Sequence, residues 1–227
     1  TAVICASCHQ DKNDPDGDGN FEEENGIISE PTYLEWLESP YSDPQSMQYA
    51  TCVDCHMPSY GATTICSQIN LQRDPSTIRS HDIKGTTPEF LENAVELNIS
   101  PQQLGNEDTV GVTITNNNTG HHVPTGVTIR NMILLIEAFT KQDSTPLYYN
   151  GNQVIHELGG IGDPELGYYA GLPGKFYAKV IHDSSGNWPT FFTDAAGFIF
   201  DNRIPALETD STSYTFNLPG AGEEYVI

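Results

Sequence analysis

The sequence predicts an α+β fold: an N-terminal region of short helices and loops, followed by an antiparallel β-sandwich. Three observations predict it. The pentapeptides Cys5-Ala6-Ser7-Cys8-His9 and Cys52-Val53-Asp54-Cys55-His56 both precede Pro58, in a part of the chain broken repeatedly by Pro, Gly and Asp. After Pro101 the pattern changes to apolar and polar residues in alternation, rich in β-branched side chains. Gly, Pro, Asn and Asp then separate the alternating runs, as turns do between the strands of a sandwich.

The two pentapeptides carry the chemistry. C-x-x-C-H is the attachment signature of a c-type haem. Two thiols at this spacing reach the two vinyl groups of one porphyrin as thioethers, and the imidazole that follows lies over the iron as proximal ligand. The expected attachment sets are Cys5, Cys8 and His9 for a first haem, and Cys52, Cys55 and His56 for a second. Together they use four of the five cysteines. A thiol redox motif or half of a zinc site is the plainer reading of a C-x-x-C pair. Neither needs the His directly after each pair. Two covalent haem c groups are therefore expected, in a di-haem cytochrome-like region over residues 1–100. Residues 101–227 are expected to form the sandwich and to supply a distal His.

Composition narrows the partners. Acidic residues number 31 against 9 basic ones, a formal net charge of −22. That excludes nucleic acid and anionic membrane surfaces as natural partners and favours cationic ones or bound metal ions. No apolar run reaches the length of a membrane span. Since c-type haem is attached outside the cytoplasm, an extracellular or periplasmic location is expected, with a leader removed. The closing Glu224-Tyr225-Val226-Ile227 reads as the middle of a strand, so trimming at either end is expected. Cys66 has no following His; it reads as a buried free thiol or as half of an intermolecular disulfide.

Along the chain, residues 1–10 should form a short helix bearing the first haem. Asp14, Asp16 and Asp18, with Gly19, Asn20 and Glu22, then resemble the first half of a calcium loop, in which alternating carboxylates converge on one hard cation. The twelfth position, where a complete EF-hand places Glu, is Asn25. A calcium-stabilised loop and a solvated acidic turn are both consistent with this run. Residues 31–39 fit a helix with Tyr33, Trp36 and Leu37 on one face, able to lie against a porphyrin or simply in the core. Residues 59–74 read as a loop around a haem edge. Thr86 and Glu89 fit a capping box, with Pro88 in the first turn. Phe90, Leu91, Ala94, Val95 and Leu97 extend that helix to about two to three turns by periodicity. Strands are expected at 110–115, over much of 127–139, and at 152–157, 175–182, 197–201 and 212–217.

A haem iron usually takes a sixth ligand, His or Met. With His9 and His56 proximal, the remaining candidates are His81, His121, His122, His156 and His182, and Met47, Met57 and Met132. Met57 follows a proximal His and cannot turn back to the same iron. Met132 sits in an apolar strand and reads as core. Two His-ligated irons are thus favoured, which implies a comparatively low reduction potential.

Three runs resemble the multihaem cytochromes c of the cytochrome c554-like group. They are Tyr33-Leu34-Glu35-Trp36 with Ser39-Pro40-Tyr41, then Thr51 through Pro58, then Ser80-His81-Asp82-Ile83-Lys84-Gly85. Gly120-His121-His122-Val123-Pro124-Thr125-Gly126 resembles the G-H-x-x-P-T-G element of the same broad group, and Asp201-Asn202-Arg203-Ile204-Pro205 resembles a strand-turn downstream of it. The resemblance implies that His81 and His121 are the distal ligands. The residues agree for His121, since Gly120 and Pro124 make a rigid turn able to push one imidazole out of a sheet end. His122 then reads as a neighbouring or surface residue, and His156 and His182 as sheet residues. Relatives often carry four or more haems; this chain has two motifs, which leaves room for a distal His that serves a haem in an adjacent subunit.

The function expected from these residues is electron transfer by an extracytoplasmic di-haem c-type cytochrome. Its partners would be other redox proteins or copies of itself joined into a conducting filament. The alternative is a haem enzyme with one five-coordinate iron, acting as a peroxidase or on a nitrogen oxide, with His81 or His121 as acid-base. A third reading is a non-redox structural module stapled by haem.

Overall fold

The computed structural model describes residues 2–13, 26–59, 61–66, 68–219 and 223–227. Its elements in chain order are helix α1 (Val3–His9), strands β1 (Asp11–Lys12) and β2 (Ile28–Glu30), helices α2 (Thr32–Leu37) and α3 (Cys52–His56), strands β3 (Thr64–Cys66) and β4 (Leu71–Gln72), and helix α4 (Pro88–Glu92). The longer strands follow: β5 (Glu96–Leu104), β6 (Glu107–Thr115), β7 (Asn131–Leu135), β8 (Phe139–Thr140), β9 (Gly174–His182), β10 (Gly197–Asp201), β11 (Thr209–Asn217) and β12 (Tyr225–Val226). The chain is mostly antiparallel sheet with a few short helices. The candidate calcium residues Asp14, Asp16, Asp18, Asn20 and Glu22 lie outside the described residues.

Two three-stranded sheets hold the core. One has the order β11-β6-β5, the other β10-β9-β7. In β6 the burial alternates strictly, with Asp108, Val110, Val112 and Ile114 buried and their neighbours half-buried. This is the period-2 pattern of a strand with one face on a core. Val110, Val112 and Ile114 share one apolar cluster with Tyr214 and Phe216 of β11, Leu134 of β7, Tyr177 of β9 and Ile204. Strand β9 is buried on both faces, as its near-continuous apolar run requires. Phe176, Ala178 and Val180 turn to a second cluster, closed by Ile155, Leu158, Tyr169 and Leu172.

The strands expected at 110–115, 175–182, 197–201 and 212–217 fall within β6, β9, β10 and β11. Five expectations need correction. The N-cap of α4 is Thr87, not Thr86, and makes no side-chain cap hydrogen bond. Residues 59–74, read as a loop, contain the antiparallel pair β3–β4. The helix expected through Leu97 stops at Glu92, and β5 begins at Glu96. Leu97, Ile99 and Pro101 pair with Ile114, Val112 and Val110, so cross-strand pairing overrides a helical spacing only two turns long. Residues 152–157 form no strand. Val154 makes one isolated bridge to Pro173, which has no N–H with which to continue a ladder. In 127–139 the strand is confined to β7 and the first residue of β8. Residues 127–130 close a turn in which Arg130 N–H donates to Val127 O at 2.9 Å.

Strand β5 is an outer strand of its sheet, and all nine of its residues are exposed. Leu97 and Ile99 lie on the core face of the sheet yet stay 52% and 58% exposed. Burial predicts an asymmetry between paired neighbours. Ile114→Ala should cost about 2–5 kcal/mol, whereas Ile99→Ala should stay within about 0.5 kcal/mol of wild type. Chemical denaturation followed by far-UV circular dichroism checks both.

Candidate functional site

His56 ends α3, the helix of the second C-x-x-C-H motif. Its N-cap Thr51 is locked by Asp54, whose carboxylate accepts the Thr51 backbone N–H at 3.0 Å and its hydroxyl at 2.7 Å. Arg79 pairs with the same carboxylate at 2.8 Å. Those hydrogen bonds from Thr51 and the Arg79 charge hold the Asp54 carboxyl below its ordinary range. Beyond Arg79 the chain returns over the helix, and His56 Nδ1 lies 2.5 Å from Lys84 O. A carbonyl only accepts, so Nδ1 carries the proton and Nε2 keeps a free lone pair. Phe90 of α4 packs on the ring, centre to centre 5.2 Å.

His121 sits in the polar loop after β6. Asn116, fully buried, fixes that loop: its Nδ2 donates to His121 O at 2.8 Å and to Ile204 O at 2.9 Å. The Thr119 hydroxyl lies 2.8 Å from the same His121 oxygen. Val123 and Ile204 exchange backbone hydrogen bonds at 2.9 and 3.0 Å. Gly120 is required by close approach, because a Cβ there would stand 3.0 Å from Tyr41 Cβ and 3.2 Å from Trp36 Cδ1. His121 Nδ1 donates to His122 O at 3.0 Å. As in His56, Nε2 is left with its lone pair.

The two rings face each other. Their centres are 6.3 Å apart and their planes differ by 16°. One metal held between trans imidazoles at about 2 Å per bond, with each ring centre set back behind its nitrogen, needs ring centres about 6 Å apart. The centre-to-centre distance of His56 and His121 matches that span. Burial pushes the His121 imidazole below its ordinary pKa, which favours the neutral form that can donate a lone pair to a metal.

A buried carboxylate joins this loop to α2. Glu35 Oε2 accepts the His122 backbone N–H at 3.1 Å and the Thr125 hydroxyl at 2.6 Å. Its Oε1 meets Arg203 Nη1 at 2.7 Å, an ion-pair contact rather than an aligned hydrogen bond. Arg203 forks onto Asp201 through Nε at 2.8 Å and Nη2 at 2.7 Å. Burial pushes Asp201 up, and Arg203 outweighs it, so its carboxyl rests below the usual range. The Thr32 and Thr125 hydroxyls, 2.9 Å apart, and Tyr41 OH donating to Asn117 O at 3.2 Å bind the same helix–loop seam. Lys179 Nζ donates to Ile28 O at 2.8 Å. Burial, then the charge of Arg203, lowers that ammonium to about 8.

The first motif occupies α1. Cys5, Cys8, Cys52 and Cys55 form no disulfide among the described residues. Cys5 and Cys52 are neighbours: burial and Cys5 push the Cys52 thiol up to about 11. Porphyrins attached through those two sulfurs would start from one place. His9 is exposed and stands near Glu30. His81 is also exposed, and its ring makes no hydrogen bond, ion pair or ring contact among the described residues. The structure therefore brings His121, and not His81, to His56. His122 turns to Glu35 instead, with Nδ1 3.7 Å from Oε1. His156 caps a short 3₁₀ turn by accepting Leu158 N–H at 3.2 Å. His182 closes β9 and donates from Nδ1 to Asp183 O at 2.8 Å.

Sequence reading missed Glu35, Arg203 as its partner, and Asn116. In a helix whose apolar face is Tyr33, Trp36 and Leu37, a Glu reads as solvated. The available signal was Asp201-Asn202-Arg203, a charged cluster at a strand end that needs a buried counter-charge.

No protein-family model and no curated protein matches the chain. A solved structure described as a penta-heme cytochrome c552 from Thermochromatium tepidum is similar, with a TM-score of 0.62 and 20% identity, over 97% of this chain and 45% of that one. The chain thus has the fold of part of a multihaem cytochrome c, and spans less than half the length of that protein.

Asn116→Ala should remove two buried donor bonds at about 0.5–1.5 kcal/mol each, while the Thr119 hydroxyl still reaches His121 O and Val123 N–H still reaches Ile204 O. Thermal melting should show the loss, and amide exchange should quicken first in the 116–126 loop.

Proposed function

We infer that the chain is an extracytoplasmic di-haem c-type cytochrome, related to the cytochrome c554-like group, that carries electrons through low-spin haems with His on both faces. The observation that carries this reading is the pair His56 and His121, parallel, 6.3 Å apart, each with Nδ1 engaged by a backbone carbonyl. Cys5, Cys8 and His9 would hold the first haem, and Cys52, Cys55 and His56 the second, with His121 as its distal ligand. Haem supplies a one-electron couple on iron. The protein's part would be to hold the iron of the second haem between His56 and His121, leaving it closed to substrate, and to set the two groups side by side from Cys5 and Cys52. The fold shared with a penta-heme cytochrome supports the reading. The half-sandwich of strands β5, β6 and β11 against β7, β9 and β10 serves as the rigid base from which the His121 loop projects. The acidic run Asp14 to Glu22 is part of the same proposal as a calcium-binding loop.

His9 has no facing imidazole among the described residues, while His81 stands exposed. This supports ligation of the first iron across a contact between copies, with His81 of one chain serving another, and growth into a filament. The open edge of β5 supports it as well. The same observation favours a second reading, an enzyme whose first iron is five-coordinate.

Carbon monoxide separates these readings. The reduced protein should leave the second haem untouched by the gas, and His121→Ala should open that haem to it and raise a high-spin fraction. Uptake at the second haem of the wild type would overturn the reading. Light scattering across protein concentration should show growing assemblies in which the first haem also becomes low-spin, and His81→Ala should abolish both. Monomers throughout, with a high-spin first haem, favour the enzyme.

A further inference from the structure

We propose that Glu35 is a positioning residue for the distal ligand, setting the seat of His121 and, through its buried charge, the reduction potential of the second haem. The inference rests on His121 being that haem's distal ligand. Its ground is the peptide that joins His121 to His122. The oxygen of that peptide accepts from Asn116 Nδ2 at 2.8 Å. Its N–H donates to Glu35 Oε2 at 3.1 Å. Both ends of the unit next to the His121 Cα are therefore fixed, one by the sheet loop and one by α2. The ring itself is tied forward, from Nδ1 to His122 O at 3.0 Å. With the peptide pinned and the ring hooked, Nε2 has one place to point. Loss of the Glu35 acceptor frees the N–H end, and the plane that carries the ring can rock about the Asn116 contact.

The carboxylate is unlike an ordinary surface Glu. Its side chain is 4% exposed and that of Arg203 3%. Arg203 already has a full partner in Asp201 through two aligned bonds. Asp201, Arg203, Glu35 and the neighbouring Lys179 ammonium balance in charge, and the Glu35 carboxylate is the member bonded to the loop that presents the ligand. Neutralising it would leave one net positive charge there, which in a low-dielectric setting favours ferrous over ferric iron and lifts the potential. An Arg203–Asp201 pair alone would anchor the strand end with no bond to the His121 peptide. The added contact is the one that a positioning role needs.

Two variants separate the bond from the charge. Glu35→Gln keeps an acceptor oxygen for His122 N–H and Thr125, and removes the charge. It should leave the second haem low-spin and closed to carbon monoxide, and raise its midpoint potential relative to the first haem, which acts as an internal reference. Glu35→Ala removes the acceptor too. It should open the second haem to carbon monoxide and change its low-spin electron paramagnetic resonance signature, with the first haem unchanged. His121→Ala calibrates both. If His121→Ala opens the second haem while Glu35→Ala leaves spectrum and gas exclusion as in wild type, the positioning role is overturned and the ligand assignment stands. If His121→Ala has no effect on that haem, the ligand assignment itself fails. Should Glu35→Ala not fold, Glu35→Gln still decides: an unmoved potential at the second haem overturns the role of the charge.

Discussion

Two imidazoles can face each other across a metal-sized gap only if each is held from behind. Here both are held the same way, by a backbone carbonyl on Nδ1: Lys84 O for His56 and His122 O for His121. That one constraint organises the molecule around it. The first carbonyl is delivered by the 79–84 segment, which the Arg79–Asp54 pair clips to α3. The second belongs to a loop fixed by Asn116, by the Val123–Ile204 exchange, and by Glu35. A hydrogen-bonded ring orients without closing its other nitrogen, so the same bonds that stiffen the site keep two lone pairs available. Gly126, at φ +89°, lets the chain leave this loop beside Glu30 and Arg130 in a backbone conformation that a residue with a side chain resists.

What was legible in the sequence was whatever is local. C-x-x-C-H needs only a turn of helix to bring thiols and imidazole together, and α1 and α3 supply it. Strict alternation made β6 readable, since each buried residue in it answers to one core. Met132 read as core and does pack against the main apolar cluster. The failures are non-local. Leu97 and Ile99 have a helical neighbour pattern behind them, but their hydrogen bonds go to β6. Glu35 sits in a helix that reads as amphipathic with the Glu outward. It is buried because Arg203, far along the chain, arrives beside it already paired with Asp201. Propensity and periodicity carry no information about such a meeting.

Charge distributes itself in a related way. Of nine basic residues, Arg79, Lys141, Lys175 and Arg203 are engaged in ion pairs with carboxylates. Lys179 is half spent on Ile28 O and lies over the Phe198 ring at 4.7 Å. Most of the 31 carboxylates therefore have no cation of their own, and the outer surface repels anything of like sign. Within the screening length, about 8–10 Å in physiological salt, such a surface draws in cationic groups and repels a second copy of itself.

Self-association has to overcome that repulsion at short range, and uncharged surface is where it can. Strand β5 offers such a surface. Between Leu97 and Leu104 it carries no ionisable side chain, its outer edge pairs with no strand among the described residues, and Leu97 and Ile99 continue the sheet's core face beyond its cover. Backbone pairing at an edge has directional strength that net charge does little to weaken once salt screens the approach. The proteins that avoid such pairing place Lys, Pro or an inward charge along the edge. In β5 only Pro101 plays that part, and Glu96 stands at the end of the strand. In the proposed assembly the negative charge and the open edge would act on different steps: the first on the approach of two chains, and the second on where they meet.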